Sequence, residues 1–277
     1  MTDRTRLVRE TQRRTWSRGA RDYAPVAAGH GAHTAMLVAK VRPRPGERVL
    51  DVGTGPGAVA VAVAQAVGPT GRVVATDLVP EWGDMVAAAC AAAGVRNVEF
   101  RAIGAEALDL PDAAFDLVVS QFALMFVPEP VVALREMRRV LRDGGRLGVA
   151  VWSTLDKVEH LAVGRRVLAA YVPPAPPAER QPTPTELGEP GLIERLVAEA
   201  GFREIAVDRR ALEQSYEGVD VYWRHMLLPE HTRAALGRLP ADQVERIRDE
   251  LTAALAAHRR GDRLSFASEA IYVTALR

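Results

Sequence analysis

Between residues 47 and 152, short apolar runs alternate with longer amphipathic or alanine-rich segments. "RVLDV", "RVVATDL", "VEFRAI", "FDLVVSQF" and "RLGVAVW" are apolar nearly throughout and too short for helices, so they predict five strands covered on both faces. "AVAVAVAQAV", "DMVAAACAAAG" and "PVVALREMRRVL" predict helices between them. The second closes on Gly94, which suits a helix C-terminus, and the third puts Val131, Leu134, Met137 and Leu141 on one face. Strands separated by helices indicate a parallel sheet with helices on both sides.

The flanks have a different rhythm. Residues 1–46 read as a helical cap in which "HTAMLVAKV" is apolar enough to pack, and "RPRPGE" stops it because proline cannot continue a helix. Past Trp152 come a helix near "KVEHLAVGRRVLAAY" and the proline-dense "VPPAPPAERQPTPTELGEPG", an irregular loop that is either a surface linker or part of a lid. Then "GLIERLVAEAGF" predicts a helix and "REIAVDRRAL" a strand. "PADQVERIRDELTAALAAH" predicts an amphipathic helix striped by Val244, Ile247, Leu251 and Leu255, and "SEAIYVTALR" a last strand. The chain divides into a cap (1–46), a core (47–152), and a remainder (153–277) that completes the sheet and carries insertions at about 155–188 and 213–264.

Composition narrows the classes. The 277 residues are 48% hydrophobic, enough for a sizeable core, and the net charge of +1 argues against a polyanion-binding surface. Cys90 is the single cysteine, which excludes a disulfide within the chain and a cysteine-rich zinc site; no metal is expected. No run approaches the roughly 20 apolar residues of a membrane span, and the polar start "MTDRTRLVRETQRRTW" lacks the apolar stretch of a secretory signal. The expectation is a cytoplasmic protein that binds neither membrane nor nucleic acid, as a monomer or homodimer.

"VLDVGTGPGAVAVAVA", residues 49–64, holds the main chemical signal. A strand, a turn with three glycines and a helix follow each other, and the glycines let a ligand approach the backbone at a helix N-terminus. Gly53-x-Gly55-x-x-Ala58 satisfies the dinucleotide fingerprint, and Asp77 lies where that fingerprint has its ribose-binding acid. A P-loop is excluded because no Lys-Ser/Thr pair follows. Asp51 argues for another ligand: an acid beside the cradle repels a pyrophosphate and favours a cation such as an amino group or a sulfonium.

Taken with their order and spacing, "VLDVGTGPG", "VVATDL" and "FDLVVSQFALMFVPEPVVALREMRRVLRDGGRLGVAVW" resemble the class I S-adenosylmethionine-dependent methyltransferases, in the branch of the ubiquinone and menaquinone biosynthesis enzymes. The resemblance covers roughly residues 45–152 well and the ends loosely. It implies an α/β, Rossmann-like, doubly wound sheet of seven strands, the last antiparallel, with a helical cap and C-terminal insertions. It implies S-adenosylmethionine as cofactor. Gly53, Thr54 and Gly55 would line the methionine moiety, with Asp51 near its amino group. Asp77 would accept from the ribose hydroxyls, Leu78 would pack on adenine, and Ala105 would offer its N–H to an adenine nitrogen. Ser120 and Gln121 would floor the site, and Tyr23 would cover it from the cap. The family often reads Gly-Asp-Ala-Glu after its third strand, but this chain reads "IGAEAL" with Gly104 at the Asp position. Either Glu106 takes over that adenine contact or the contact is missing.

The resemblance implies methyl transfer to an oxygen or carbon of a small or mid-sized organic acceptor, such as a secondary metabolite. Two alternatives stay open: a methyltransferase-fold protein that only binds the cofactor or catalyses a reaction such as cyclisation, and a nicotinamide-dependent oxidoreductase. Methyl transfer is an in-line displacement that needs a base only when the nucleophile must lose a proton. The candidate bases are His225, in "VYWRHMLL", and then His33; His30 and His160 are further histidines near the cap and the fifth strand. Many relatives carry a histidine after the fourth strand, where this chain has Phe126, an apolar pocket wall.

Overall fold

A computed structural model describes residues 3–177 and 180–277. Met1 and Thr2 of the expected cap, and Ala178 and Glu179 of the proline-rich loop, lie outside the described residues.

One sheet organises the chain. Strands β1 (Arg48–Val52), β2 (Arg72–Asp77), β3 (Val98–Ala102), β4 (Phe115–Gln121) and β5 (Leu141–Trp152) are parallel, in the order β3-β2-β1-β4-β5. The sheet continues through the last strand, β8 (Arg263–Leu276), which runs antiparallel to both β5 and β6 (Arg203–Tyr216). Among the described residues the path of the sheet thus has the seven strands expected, the last antiparallel; off it, a two-residue strand, β7 (Arg259–Arg260), pairs with β8. Helices α3 (Ala58–Val67), α4 (Trp82–Ala92), α5 (Pro130–Val140), α6 (Glu159–Leu168) and α7 (Leu192–Glu199) follow the strands. The apolar runs are as buried as their composition requires: Val49, Leu50, Val73, Leu117, Val118, Val119, Leu147 and Val149 are fully enclosed.

Three strand boundaries differ from the expectation. β5 begins at Leu141, before the glycines of "RDGG", with an irregular register against β4 between Phe115 and Leu117. β6 runs on to Tyr216 and β8 starts at Arg263, because Leu212 through Tyr216 pair with Ser268 back to Leu264. Neither stretch is apolar enough to read as strand by itself; each supplies the other's hydrogen bonds. The extension, together with α6, α8 (Val219–Met226), α9 (Glu230–Leu236) and α10 (Ala241–Ala254), encloses a second core around Tyr216, Tyr222, Met226, Ile247, Leu251 and Phe266. Tyr222 and Met226 of "VYWRHMLL" are thus packing residues.

The cap consists of α1 (Asp3–Ala28) and α2 (Gly31–Val41). Leu37 and Val41 of α2 join the main core, and the helix fits against β5 because Gly148 has no side chain where Val41 sits. At the corner between α1 and α2, a Cβ on Gly29 would drive into the backbone carbonyl of Ser215 on β6. Gly29→Ala should therefore cost about 1–3 kcal/mol by overpacking. Urea or thermal unfolding measures it, and wild-type stability would mean the corner does not hold the cap against β6.

Candidate active site

The carboxyl ends of β1, β2 and β4 meet where an α/β sheet places its ligands. The chain leaves β1 through Gly53, Gly55 and Gly57, at φ +71°, +52° and +93°, and enters α3 at Ala58. The N–H groups of Gly53 and Thr54 both donate to the carbonyl of Thr76, 2.8 and 2.9 Å away, which clamps the turn to β2. The glycines have different jobs. A Cβ on Gly53 would collide with the Ala123 side chain, whereas one on Gly55 would project into open space, so Gly55 is the position that leaves room for a ligand.

Asp77, at the end of β2, accepts hydrogen bonds from Gly55 N–H (3.0 Å) and Val79 N–H (3.1 Å). Burial pushes its carboxyl up to about 6, against the pull of these backbone donors. Asp51 is buried beneath the turn. Its Oδ2 accepts the Thr54 hydroxyl at 2.7 Å, while its Oδ1 has no partner. Burial pushes this carboxyl up to about 7; the Thr54 hydrogen bond opposes the rise and the charge of Asp77 adds to it. Two carboxyls so close, one with an orphaned oxygen, make a site short of positive charge.

Around them lies a cleft of about 1110 Å³ including its open mouth. Gly53, Thr54, Gly55, Asp77, Leu78, Ala105, Glu106, Ser120, Gln121 and Tyr23 all line it; Asp51 stands behind the lining. At the β2–β3 side, the Arg9 guanidinium of α1 occupies the space where a side chain at Gly104 would begin, and it faces Glu106. Glu106 Oε1 is buried without a partner, and burial raises its carboxyl's pKa. Ser120 donates to the carbonyl of Val52 (2.9 Å), tying β4 to β1. Gln121 donates to Thr34 (2.9 Å), leaving its Oε1 buried and unpartnered.

An aromatic roof covers the cleft. Trp16 packs edge-on against Tyr23 and Phe126, at centroid distances of 4.9 and 5.0 Å, and Tyr23 reaches Trp82 at 6.3 Å. Phe126 lines the cleft, in keeping with its expected place in an apolar wall. Sequence reasoning missed Arg9, Trp16, Trp82 and Phe122. The lone tryptophan in the arginine-rich first helix was the available signal for Trp16. Nothing in the sequence signals Phe122, a non-glycine residue at φ +54°, a left-handed backbone costing about 1–2 kcal/mol. Its ring stacks on Trp152 at 3.8 Å, and its N–H donates to the carbonyl of Ala150.

Neither histidine favoured from the sequence lines the cleft. His33 lies fully enclosed between α2 and β8, its Nδ1 2.7 Å from the Tyr272 hydroxyl. His225, half-buried on α8 one turn from Tyr222, has its Nδ1 2.9 Å from the Tyr216 hydroxyl. Burial lowers both to about 4. His160 bonds to Ser268 at 2.7 Å and also lies off the cleft. His30, at the corner between α1 and α2, is the histidine in the lining.

The chain is similar to known proteins in sequence and fold. The family described as "Methyltransferase domain" matches residues 50–149. An uncharacterized protein of Mycobacterium tuberculosis is 38% identical over 144 residues, 52% of this chain and 50% of that protein, so the match spans about half the relative's length. Nocamycin O-methyltransferase of Saccharothrix syringae is 31% identical over 260 residues, covering 86% of this chain and 88% of that enzyme. The crystal structure of a putative methyltransferase from Bacillus halodurans shares the fold, with a TM-score of 0.58 at 22% identity over 88% of this chain and 98% of that one. A near full-length relative, a matching domain and a glycine turn backed by two carboxyls agree: the chain belongs to the class I S-adenosylmethionine-dependent methyltransferases, whose cofactor is S-adenosylmethionine.

Proposed function

We propose that this protein transfers the methyl group of S-adenosylmethionine, in the cytoplasm, to an oxygen or carbon of a small or mid-sized organic acceptor of the secondary-metabolite kind. The observation that carries the reading is the continuity of the cleft, from the glycine turn and its carboxyls to the aromatic surroundings of His30. The similarity to the Saccharothrix enzyme, an O-methyltransferase, adds support for an oxygen acceptor.

The residues present fit the cofactor. The open space at Gly55 and the orphaned Asp51 Oδ1 suit the methionine end, with Asp51 as counter-charge to its cationic groups. Asp77 suits the ribose: its carboxylate has lone pairs left after accepting from Gly55 and Val79. Leu78 and the Ala105 N–H suit adenine. Glu106 Oε1, buried and unpartnered, is the acceptor that suits the adenine amino group in place of the side chain missing at Gly104. Ser120 and Gln121 form the floor, and Thr54 holds Asp51 in place. When bound, the cofactor supplies a methyl carbon already activated by positive sulfur. The chain's own work is alignment and exclusion of water, done by the roof of Trp16, Tyr23, Trp82 and Phe126.

Purified protein should carry S-adenosylmethionine or S-adenosylhomocysteine detectable by mass spectrometry, and calorimetry should show S-adenosylmethionine binding with no NAD binding. The converse preference would overturn the reading.

A further inference from the structure

His30 is unlike the three other histidines packed into the interior of this protein. His33, His160 and His225 each have a ring nitrogen within 2.9 Å of a hydroxyl, at Tyr272, Ser268 and Tyr216 respectively. His30 is 5% exposed and has no hydrogen-bond partner for its imidazole among the described residues. Its neighbours are rings: Phe122 at 5.0 Å and Trp152 at 5.8 Å, both edge-on, and Tyr23 at 6.1 Å. It is the residue preceding α2, at φ −83° and ψ 7°, in the sparsely populated bridge region, and its side chain does not cap the helix. Unlike His33 Nε2, which is sealed in the core without a partner, neither ring nitrogen of His30 is fully enclosed, so the imidazole keeps its hydrogen-bonding capacity open to a partner from outside the fold. The cleft is where that partner can come from, because His30 lines it.

Position adds a second argument. Asp77, Leu78, Gly104 and Arg9 occupy the β2–β3 side of the cleft, while His30 sits with Phe122 and Trp152 at the ends of β4 and β5. The corner that holds it is braced. Gly29 abuts the Ser215 carbonyl, and Gln214 donates to the carbonyl of Val26. Phe122, held at its unfavourable φ by stacking on Trp152, supplies the ring face beside the imidazole. The surroundings of His30 are planar and uncharged, suited to a flat neutral molecule.

We infer that His30 is the catalytic base of this site and that its substrate is a planar, neutral phenol or enol. This rests on the proposed methyl transfer and names the acceptor for it. In the step, an imidazole nitrogen takes the acceptor's O–H proton. The oxygen forms its bond to the methyl carbon as the methyl–sulfur bond breaks, and that electron pair stays on sulfur. The imidazolium then returns its proton to water. Acid–base matching sets the acceptor class. Burial, with His33 and His225 close by, holds His30 well below its ordinary 6.5, so it is neutral and a weak base. So weak a base is restricted to the more acidic hydroxyls, of which a phenol or enol, near 10 for a phenol such as tyrosine, is the nearer class. It does not suit an aliphatic alcohol, whose acidity is close to that of water, about 15.7.

Three probes of one size test this: 2-naphthol, 2-naphthylmethanol and 2-naphthoate, with naphthalene as the reference lacking oxygen. With S-adenosylhomocysteine bound, tryptophan fluorescence should show 2-naphthol binding about three- to tenfold tighter than naphthalene. That preference should vanish in His30→Ala, and 2-naphthoate should bind weakest. With labelled S-adenosylmethionine, 2-naphthol should be methylated and 2-naphthylmethanol should not. His30→Gln should lose at least a hundredfold in rate, while its S-adenosylmethionine affinity by calorimetry stays within twofold of wild type; added imidazole should partly restore His30→Ala. A His30→Gln rate within threefold of wild type, equal methylation of the aliphatic alcohol, or failure of 2-naphthol to bind or react would overturn the inference. Failure of wild type to bind S-adenosylmethionine would instead overturn the methyltransfer reading beneath it.

Discussion

Asp77→Ala is expected to weaken S-adenosylmethionine binding by about ten- to a hundredfold. Hydrogen bonds to a charged acceptor are each worth about 1.5–3 kcal/mol, and tenfold in affinity is about 1.4 kcal/mol. Asp77 stands at the end of β2, lines the cleft, and is held by the N–H groups of Gly55 and Val79, which aim it without exhausting its lone pairs. Calorimetric titration measures the loss. Asp77→Asn should fall between alanine and wild type, since it keeps one acceptor oxygen but turns an amide nitrogen toward a donating backbone group. A thermal melt of each variant separates a lost ligand contact from a slackened glycine turn. Wild-type affinity in the alanine variant would remove Asp77 from the ribose site.

Asp51→Asn is expected to change stability and binding in opposite directions. The folded-state carboxyl sits at about 7, far above its ordinary 3.8, chiefly because it is buried. The folded protein therefore holds a proton there that the unfolded chain has released, so stability falls as pH rises from about 4 to about 7, and the cost is complete above that. Asparagine carries no such cost. The variant's apo form should match wild type near pH 4 and melt higher at pH 8, by a margin on the order of 1–4 kcal/mol. Binding runs the other way. The carboxylate form attracts a cationic ligand, so wild-type affinity for S-adenosylmethionine should fall as pH drops from 8 to 6. The fall should approach a factor of about ten per pH unit in the limit below the pKa. Asp77, at about 6, steepens the lower end of that profile. Asp51→Asn should bind more weakly at pH 8 and show a flatter profile. An unchanged affinity and slope would mean the orphaned Oδ1 faces no cation.

Such a trade is expected of a site built for a charged ligand. An apolar core would be more stable with asparagine, or with no polar group, at position 51. The buried acid is retained at a cost that a bound cation offsets.

Much of the fold was legible because its signals are local. β1 and α3 were delimited to the residue, since an apolar run followed by glycines and an alanine-valine helix leaves little choice of period. The cleft lining was legible for Gly53, Gly55 and Asp77, because chain order places the ends of β1 and β2 side by side. The long pairing of β6 with β8 was not legible, because neither "EQSY" nor "RLSFA" commits to a strand without the other. The choice among histidines was not legible either. His30 and His33 are three residues apart, yet one faces the cleft and the other a tyrosine on β8.

By itself the sequence determined the alternation of strand and helix, the glycine turn and the two acids at the ends of β1 and β2. These depend on backbone preferences and hydrophobic period within a few residues. Only the tertiary structure decided which aromatics roof the cleft, that Arg9 fills the space at Gly104, and that the His30 imidazole lines the cleft with no hydrogen-bond partner among the described residues. Those facts depend on where α1 and the β6–β8 extension come to rest, through contacts between residues far apart in the chain, such as Gly29 and Ser215.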